Sequence, residues 1–179
     1  MQWHQQAKLF VGADITRDNF VPRDRCLSPK SISDAECLLG FFHLLANGDE
    51  PVLAPLIPVT QQAPKSDTGG YFQCQTGGTT GTPKILRRSC SSWNLSFQRH
   101  TELFGIGPLS RYAVLGHLEH SLALFAAVEG ISVGADVHLL GHLRPNQQAR
   151  AILEQRCDIV YATPTQILQL VEFQALQHL

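Results

Sequence analysis

The residues best suited to chemistry lie in one run, Gln75 to Lys84, which reads QTGGTTGTPK. Gly77, Gly78 and Gly81 lack a Cβ, so the backbone there can take positive φ and come close to a ligand. Thr76, Thr79, Thr80 and Thr82 add hydroxyl donors, and Lys84 adds a full positive charge. Amides, hydroxyls and an ammonium converging on one place suit a polyphosphate, because each hydrogen bond to a charged group contributes roughly 1.5–3 kcal/mol. The run is not a Walker A loop: Lys84 follows Pro83 instead of a glycine and precedes Ile85 instead of Ser or Thr. The bland alternative is a Gly/Thr-rich hairpin with no ligand.

Other groupings carry less. His117, Glu119 and His120 lack the two-His helical spacing of metalloproteases, and His138 and His142 fall on a strand, where positions four apart lie too far from each other to chelate. No metal site is expected, and the histidines other than His120 read as surface residues. Arg87 and Arg88 are adjacent on a strand and face opposite ways, so at most one extends the positive field of the loop. Trp93 and Phe97, four apart on a helix, read as core contacts, and Cys74 and Cys90 as small buried hydrophobes.

The elements that must hold the loop are a strand from Tyr71 to Gln75 before it and one around Ile85 to Arg88 after it, which together make a hairpin. A helix from about Ser91 to Phe104 follows. Then strand and helix alternate: Tyr112 to Leu115, Ser121 to Val128, Val137 to Leu140, Asn146 to Gln155, Ile159 to Ala162 and Thr165 to Leu176. Such alternation gives an α/β fold, a mostly parallel sheet covered by helices, here with a phosphate-loop hairpin. Upstream, Phe10 and Val11 start a short strand. Ser33 with Glu36 forms a capping box ahead of an apolar helix that Gly48 stops. Val52 to Val59, punctuated by Pro55 and Pro58, reads as an edge strand, and residues 61–70 as a linker or surface loop. The division expected is 1–60 for the N-terminal helix and edge strands, 61–70 for the linker, and 71–179 for the hairpin and the alternating region.

Composition limits the classes of function. Of 179 residues, 44% are hydrophobic and 16% charged, so the chain folds, since soluble domains average about a quarter charged residues. A net charge of -1 offers no attraction for nucleic acid or an anionic membrane. The five cysteines are odd in number, widely spaced and without a CxxC pair, which fits reduced thiols in a cytoplasm. The start, MQWHQQAKLF, has neither the basic region nor the apolar run of a signal peptide, and no stretch reaches the roughly 20 apolar residues of a membrane span. A soluble cytoplasmic protein is expected.

The loop resembles that of the acyl-adenylate-forming superfamily, which includes acyl- and aryl-CoA ligases and peptide-synthetase adenylation domains and carries Ser/Thr and Gly ending in Gly-x-Pro-Lys. Thr76, Gly78, Thr79, Thr80, Gly81, Pro83 and Lys84 fall on that pattern, and Gly77 stands where Ser or Thr is frequent. Downstream, YAVLGHLEHSLALFAAVEGISVGADVHLL resembles the family segment that brings a His, here His120, to the acyl-substrate pocket. Gly116 stands there in place of the usual Pro. DIVYATPTQIL, Asp158 to Leu168, resembles the strand, Pro-Thr turn and helix of succinylbenzoate-CoA ligases.

The resemblance covers Tyr71 onward. It implies ATP-dependent activation of a small carboxylic acid as acyl-AMP, then thioester formation with coenzyme A. Thr76, Gly77, Gly78, Thr79, Thr80, Gly81 and Lys84 would bind the ATP phosphates, with Mg²⁺ neutralising charge. The family's Tyr-Gly-x-Thr-Glu motif, its ribose-binding Asp and its C-terminal catalytic-lysine domain do not occur before Leu179. The expectation is an incomplete N-terminal portion of the large adenylate-forming domain, inactive alone, with a complementing C-terminal chain as a partner. The alternative is a catalytically dead nucleotide-binding or assembly module.

Overall fold

The computed structural model describes residues 1–11, 14–16, 20–53, 70–75 and 84–172, with side chains placed for all of these except 14–16. The elements run β1 (Lys8–Val11), β2 (Asp14–Thr16), β3 (Cys26–Leu27), α1 (Asp34–Ala46), β4 (Val52–Leu53), β5 (Tyr71–Gln75), β6 (Ile85–Ser89) and α2 (Cys90–Phe104). They continue with β7 (Arg111–Val114), α3 (Ser121–Val133), β8 (Asp136–Leu139), α4 (Pro145–Glu154), β9 (Ile159–Tyr161) and α5 (Pro164–Glu172).

Two sheets form. One has the order β2-β1-β8-β7-β9, parallel throughout except for the antiparallel β1–β2 pair. The other has the order β3-β4-β5-β6, parallel up to the antiparallel β5–β6 hairpin. The first sheet is sandwiched, as parallel sheets are when crossover helices cover both faces. Tyr112 and Val137 meet α3 on one face, and Ala113 packs with Ala149 and Ile152 of α4 and Leu170 of α5 on the other. A single apolar cluster runs through Leu9, Leu27, Phe41, Leu53, Phe72, Trp93, Tyr112 and Leu124, so the two sheets and helices α1 to α3 share one core.

Local chemistry accounts for the helix ends. Ser33 accepts from the Glu36 amide at 3.2 Å while the Glu36 carboxylate accepts from the Ser33 amide at 2.8 Å, the reciprocal cap expected for α1. Gly134, at φ 89°, ends α3 in the left-handed region, and a Cβ there would lie 2.6 Å from His4 Nδ1. Within α3, a Cβ on Gly130 would lie 2.6 Å from Val137 Cγ2, so only glycine lets this helix sit so close to the sheet.

Several boundaries and placements correct the sequence reading. Phe10 and Val11 finish a strand that starts at Lys8. The described part of the Val52 to Val59 run, Val52–Leu53, is not an edge: it pairs with β3 on one side and β5 on the other. Pro55, Pro58 and most of 61–70 lie outside the described residues. Helix α3 continues past Val128 to Val133. His138 is no surface histidine; it is 2% exposed and stacked on Phe10 at 4.4 Å. Trp93, Phe97, Cys74 and Cys90 are buried as expected. Among the described residues no helix is long and apolar enough to cross a membrane.

Candidate functional site

The hairpin register pairs Gln75 with Ile85, so the strands close directly on the Gly/Thr loop. Thr76, Gly77, Gly78, Thr79, Thr80 and Gly81 lie outside the described residues; Lys84 is described, exposed, and leads straight into β6. The strands are anchored from below. Arg87 donates to both oxygens of Glu50 at 2.8 Å each, Gln73 donates to Glu50 Oε1 at 3.0 Å, and the Arg87 guanidinium lies 3.9 Å over the Tyr71 ring. Of the two arginines, then, Arg87 is spent on this anchor. Arg87 holds the Glu50 carboxyl below its usual range, with Gln73 and Arg25 assisting against the opposing effect of burial.

The backbone of Gln75 forms a parallel bridge with His120. His120 is the N-cap of α3, its side chain is 47% exposed, and its Nε2 stands 3.6 Å from Glu119 Oε1. The histidine singled out for a substrate pocket therefore sits at the root of the loop. Its side chain does not cap α3, and the first turn of α3 carries no acidic residue. The first amides of a helix lack intrahelical acceptors and concentrate positive potential, which suits an anion.

Around this point converge the carboxyl ends of β7, β8 and β9, where open α/β sheets place their ligands. The loops after β7 and β8 touch backbone to backbone: a Cβ on Gly141 would fall 2.6 Å from Gly116 O. A Cβ on Gly116 would in turn lie 3.2 Å from the Ala123 Cβ of α3. The Leu115 carbonyl accepts from Gln148 at 3.3 Å and from Gln166 at 3.0 Å, and Gln148 also donates to the Leu140 carbonyl at 2.9 Å. The Pro-Thr turn has a local cause: Gln166 accepts from the Thr163 amide at 2.8 Å, and the Gln166 amide points back to Thr163 Oγ1 at 3.4 Å, capping α5.

Asp34, in the first turn of α1, faces the same edge. Burial raises its pKa and so does Glu119, while His117 and His142 pull it down. Nothing in the sequence linked Asp34 to those loops. Among the described residues no group of three or more His, Cys, Asp or Glu side chains could hold a metal ion.

Such a hairpin, beside a parallel sheet with helices on both faces, has the architecture of the N-terminal part of the adenylate-forming domain in AMP-forming ligases. The solved O-succinylbenzoate coenzyme A synthetase MenE from Bacillus subtilis, in complex with ATP and magnesium ion, superposes with a TM-score of 0.52 at 19% identity, over 82% of this chain and 35% of that one. In sequence the chain is similar to the uncharacterized acyl-CoA ligase YhfT of Bacillus subtilis, 26% identical over 181 residues, which is 88% of this chain and 36% of YhfT. It is also similar to VraA of Staphylococcus epidermidis, provisionally named a long chain fatty acid-CoA ligase, 31% identical over 100 residues, 55% of this chain and 22% of VraA. No family model matches. The chain spans about a third or less of the length of these curated relatives. The sequence relatives carry acyl-CoA ligase names, and the fold resembles the N-terminal portion of the adenylate-forming domain in such ligases.

Proposed function

We propose that this chain supplies the phosphate-binding part of an AMP-forming acid-CoA ligase. A carboxylate oxygen of a small acid attacks the α-phosphorus of ATP and pyrophosphate leaves; the thiolate of coenzyme A then attacks the acyl carbon, forming the thioester and releasing AMP. The observation that carries this reading is the Gln75–His120 bridge, which ties the root of the Gly/Thr loop to the N-terminus of α3. In this reading Thr76, Gly77, Gly78, Thr79, Thr80 and Gly81 wrap the β- and γ-phosphates with amides and hydroxyls. Lys84 contributes charge at the same place, and the first amides of α3 add positive potential. His120 borders the acid. Mg²⁺ carried on the nucleotide would supply charge neutralisation at the phosphates, since it is commonly held by substrate phosphates and few protein groups.

In this proposal the chain works in a cytoplasm, and the adenine, ribose and catalytic-lysine elements of the reaction come from polypeptide outside these 179 residues. Calorimetry tests it. The 179-residue chain is expected to bind Mg·ATP and pyrophosphate weakly, and Lys84→Ala to lower that affinity about tenfold, the equivalent of one charge-assisted hydrogen bond. Equal binding by both proteins removes Lys84 from the phosphate site. No acid-dependent exchange of pyrophosphate into ATP is expected from the chain alone, and robust exchange overturns the need for a partner. Nucleotide binding that no complementing polypeptide converts into catalysis favours a dead binding module.

A further inference from the structure

A second polar cluster lies away from the loop. Glu129 of α3 has no exposed surface, and donors from three other elements converge on its carboxylate. His100 of α2 places Nδ1 2.7 Å from Oε1, while Tyr161 of β9 and Tyr112 of β7 donate to Oε2 at 2.6 and 3.2 Å. Burial and Glu129 both raise the phenol pKa values of Tyr112 and Tyr161, so these hydroxyls stay protonated and point inward. With the carboxylate accepting from Nδ1–H, a neutral His100 carries its lone pair on Nε2. Among the described residues Nε2 has no hydrogen-bond partner and is not one of the buried unpaired atoms, and the His100 side chain is 31% exposed.

The surroundings of Nε2 select a ligand. The Phe104 and Phe125 rings stand at 62° and 67° to the imidazole, with centroids at 5.8 and 5.9 Å, and Phe104 is 70% exposed. Tyr161 ends β9, the strand at the border of its sheet. With Nδ1–H and both phenols turned to Glu129, and Tyr161 Oη only 3.5 Å from His100 Nδ1 besides, an occupant at Nε2 must bring its own proton. The Glu129 carboxylate lies just behind the ring, and the exposed Arg99 is already paired with Glu102 at 3.1 Å. A cation is therefore favoured over an anion, and an apolar body fits the aromatic lip.

We propose that His100 Nε2 and the Phe104 ring form a binding site for an organic ammonium ion with an aromatic body. Its N–H donates to Nε2 and its charge faces both the Phe104 ring and the Glu129 carboxylate behind the imidazole. The site is independent of the nucleotide reading. Glu129 follows His120 by nine positions on one helix, about 13 Å at the helical rise.

The test is a titration of the ¹⁵N-labelled chain with 2-phenylethylammonium at pH 8, followed through long-range ¹H–¹⁵N histidine spectra and Phe104 ring resonances. The free protein is expected to show His100 as the Nδ1–H tautomer. The ammonium is expected to shift Nε2 and the Phe104 ring at concentrations at least tenfold lower than 3-phenylpropionate requires, and His100→Gln to abolish the Phe104 response. An Nε2–H tautomer, equal responses to cation and anion, or a Phe104 response unchanged in His100→Gln overturns the proposal. If His100→Gln does not fold, the tautomer and the cation-to-anion ratio of the unaltered chain still decide it.

Discussion

Arg87 grips Glu50 with two hydrogen bonds of 2.8 Å, joining a residue two positions ahead of β4 to the second strand of the loop hairpin. Fork-on-fork geometry fixes direction as well as distance, so this pair sets how the hairpin leaves the sheet. Because the folded-state pKa of Glu50 is lowered, the unfolded chain takes up the proton first as the solution is acidified. The pair's stabilisation is complete above the unfolded value of 4.5 and is lost as pH falls through the folded one. Urea midpoints measured against pH should therefore show an acid limb below 4.5 that Glu50→Gln flattens, together with a lower midpoint at pH 7. An unchanged limb would remove this pair from the acid response.

His138 acts in a different window. Burial lowers its pKa from 6.5, its buried Nδ1 has no hydrogen-bond partner among the described residues, and its ring stacks on Phe10. The unfolded imidazole charges before the folded one, so stability declines as pH falls from 6.5 toward the folded value and the slope then levels. His138→Phe keeps the stacked ring and removes the titrating nitrogen. It should gain stability relative to the parent at pH 5.5 and less at pH 8, read from thermal midpoints; an equal gain at both would mean the effect is packing alone.

Thiol reactivity should divide the five cysteines. Cys26 is exposed, whereas Cys37, Cys74, Cys90 and Cys157 are buried, with Cys37 pushed up to about 12 and Cys157 to about 11, first by burial and then by neighbouring carboxylates. Thiolate is the reactive form. A colorimetric disulfide reagent at pH 8 should find one reactive thiol in the native protein and five in denaturant, and Cys26→Ser should remove the fast one.

Gly141 tests the packing of the two loops at the carboxyl edge. Its added Cβ meets a backbone carbonyl, which cannot swing aside as a side-chain tip would. Gly141→Ala should cost about 1–3 kcal/mol in unfolding free energy. Gly107→Ala, where no atom lies within 4 Å of the added carbon, is the matched control and should cost far less.

How much of this the sequence discloses depends on the range of the interaction. The α1 cap and the Pro-Thr turn rest on residues three positions apart, the hairpin strands pair across one short stretch of chain, and all are legible. Helix α3 reads short because it is apolar on nearly every face, which hides the helical period beyond Val128. Glu129 then falls outside the helix, and a glutamate in such a run suggests a solvent-facing end. Its three donors lie 29, 17 and 32 positions away, so no local pattern announces them. The Gln75–His120 bridge is hidden for the same reason, and the two-residue strands β3 and β4 are too short to carry an alternation. Composition did place His138 on the outside, because it cannot show that Phe10 would cover the ring.

The parallel pairing of β1 with β8 also sets a schedule. Lys8 leaves the ribosome early, yet its partner in the ladder is Asp136, and Val11 waits for Leu139. Until those residues have emerged, β1 lacks its parallel neighbour β8 and pairs with β2 alone. Pairing over such a span closes a long loop late and slows folding. β1 is thus locked in place only once β8, far downstream, has been made.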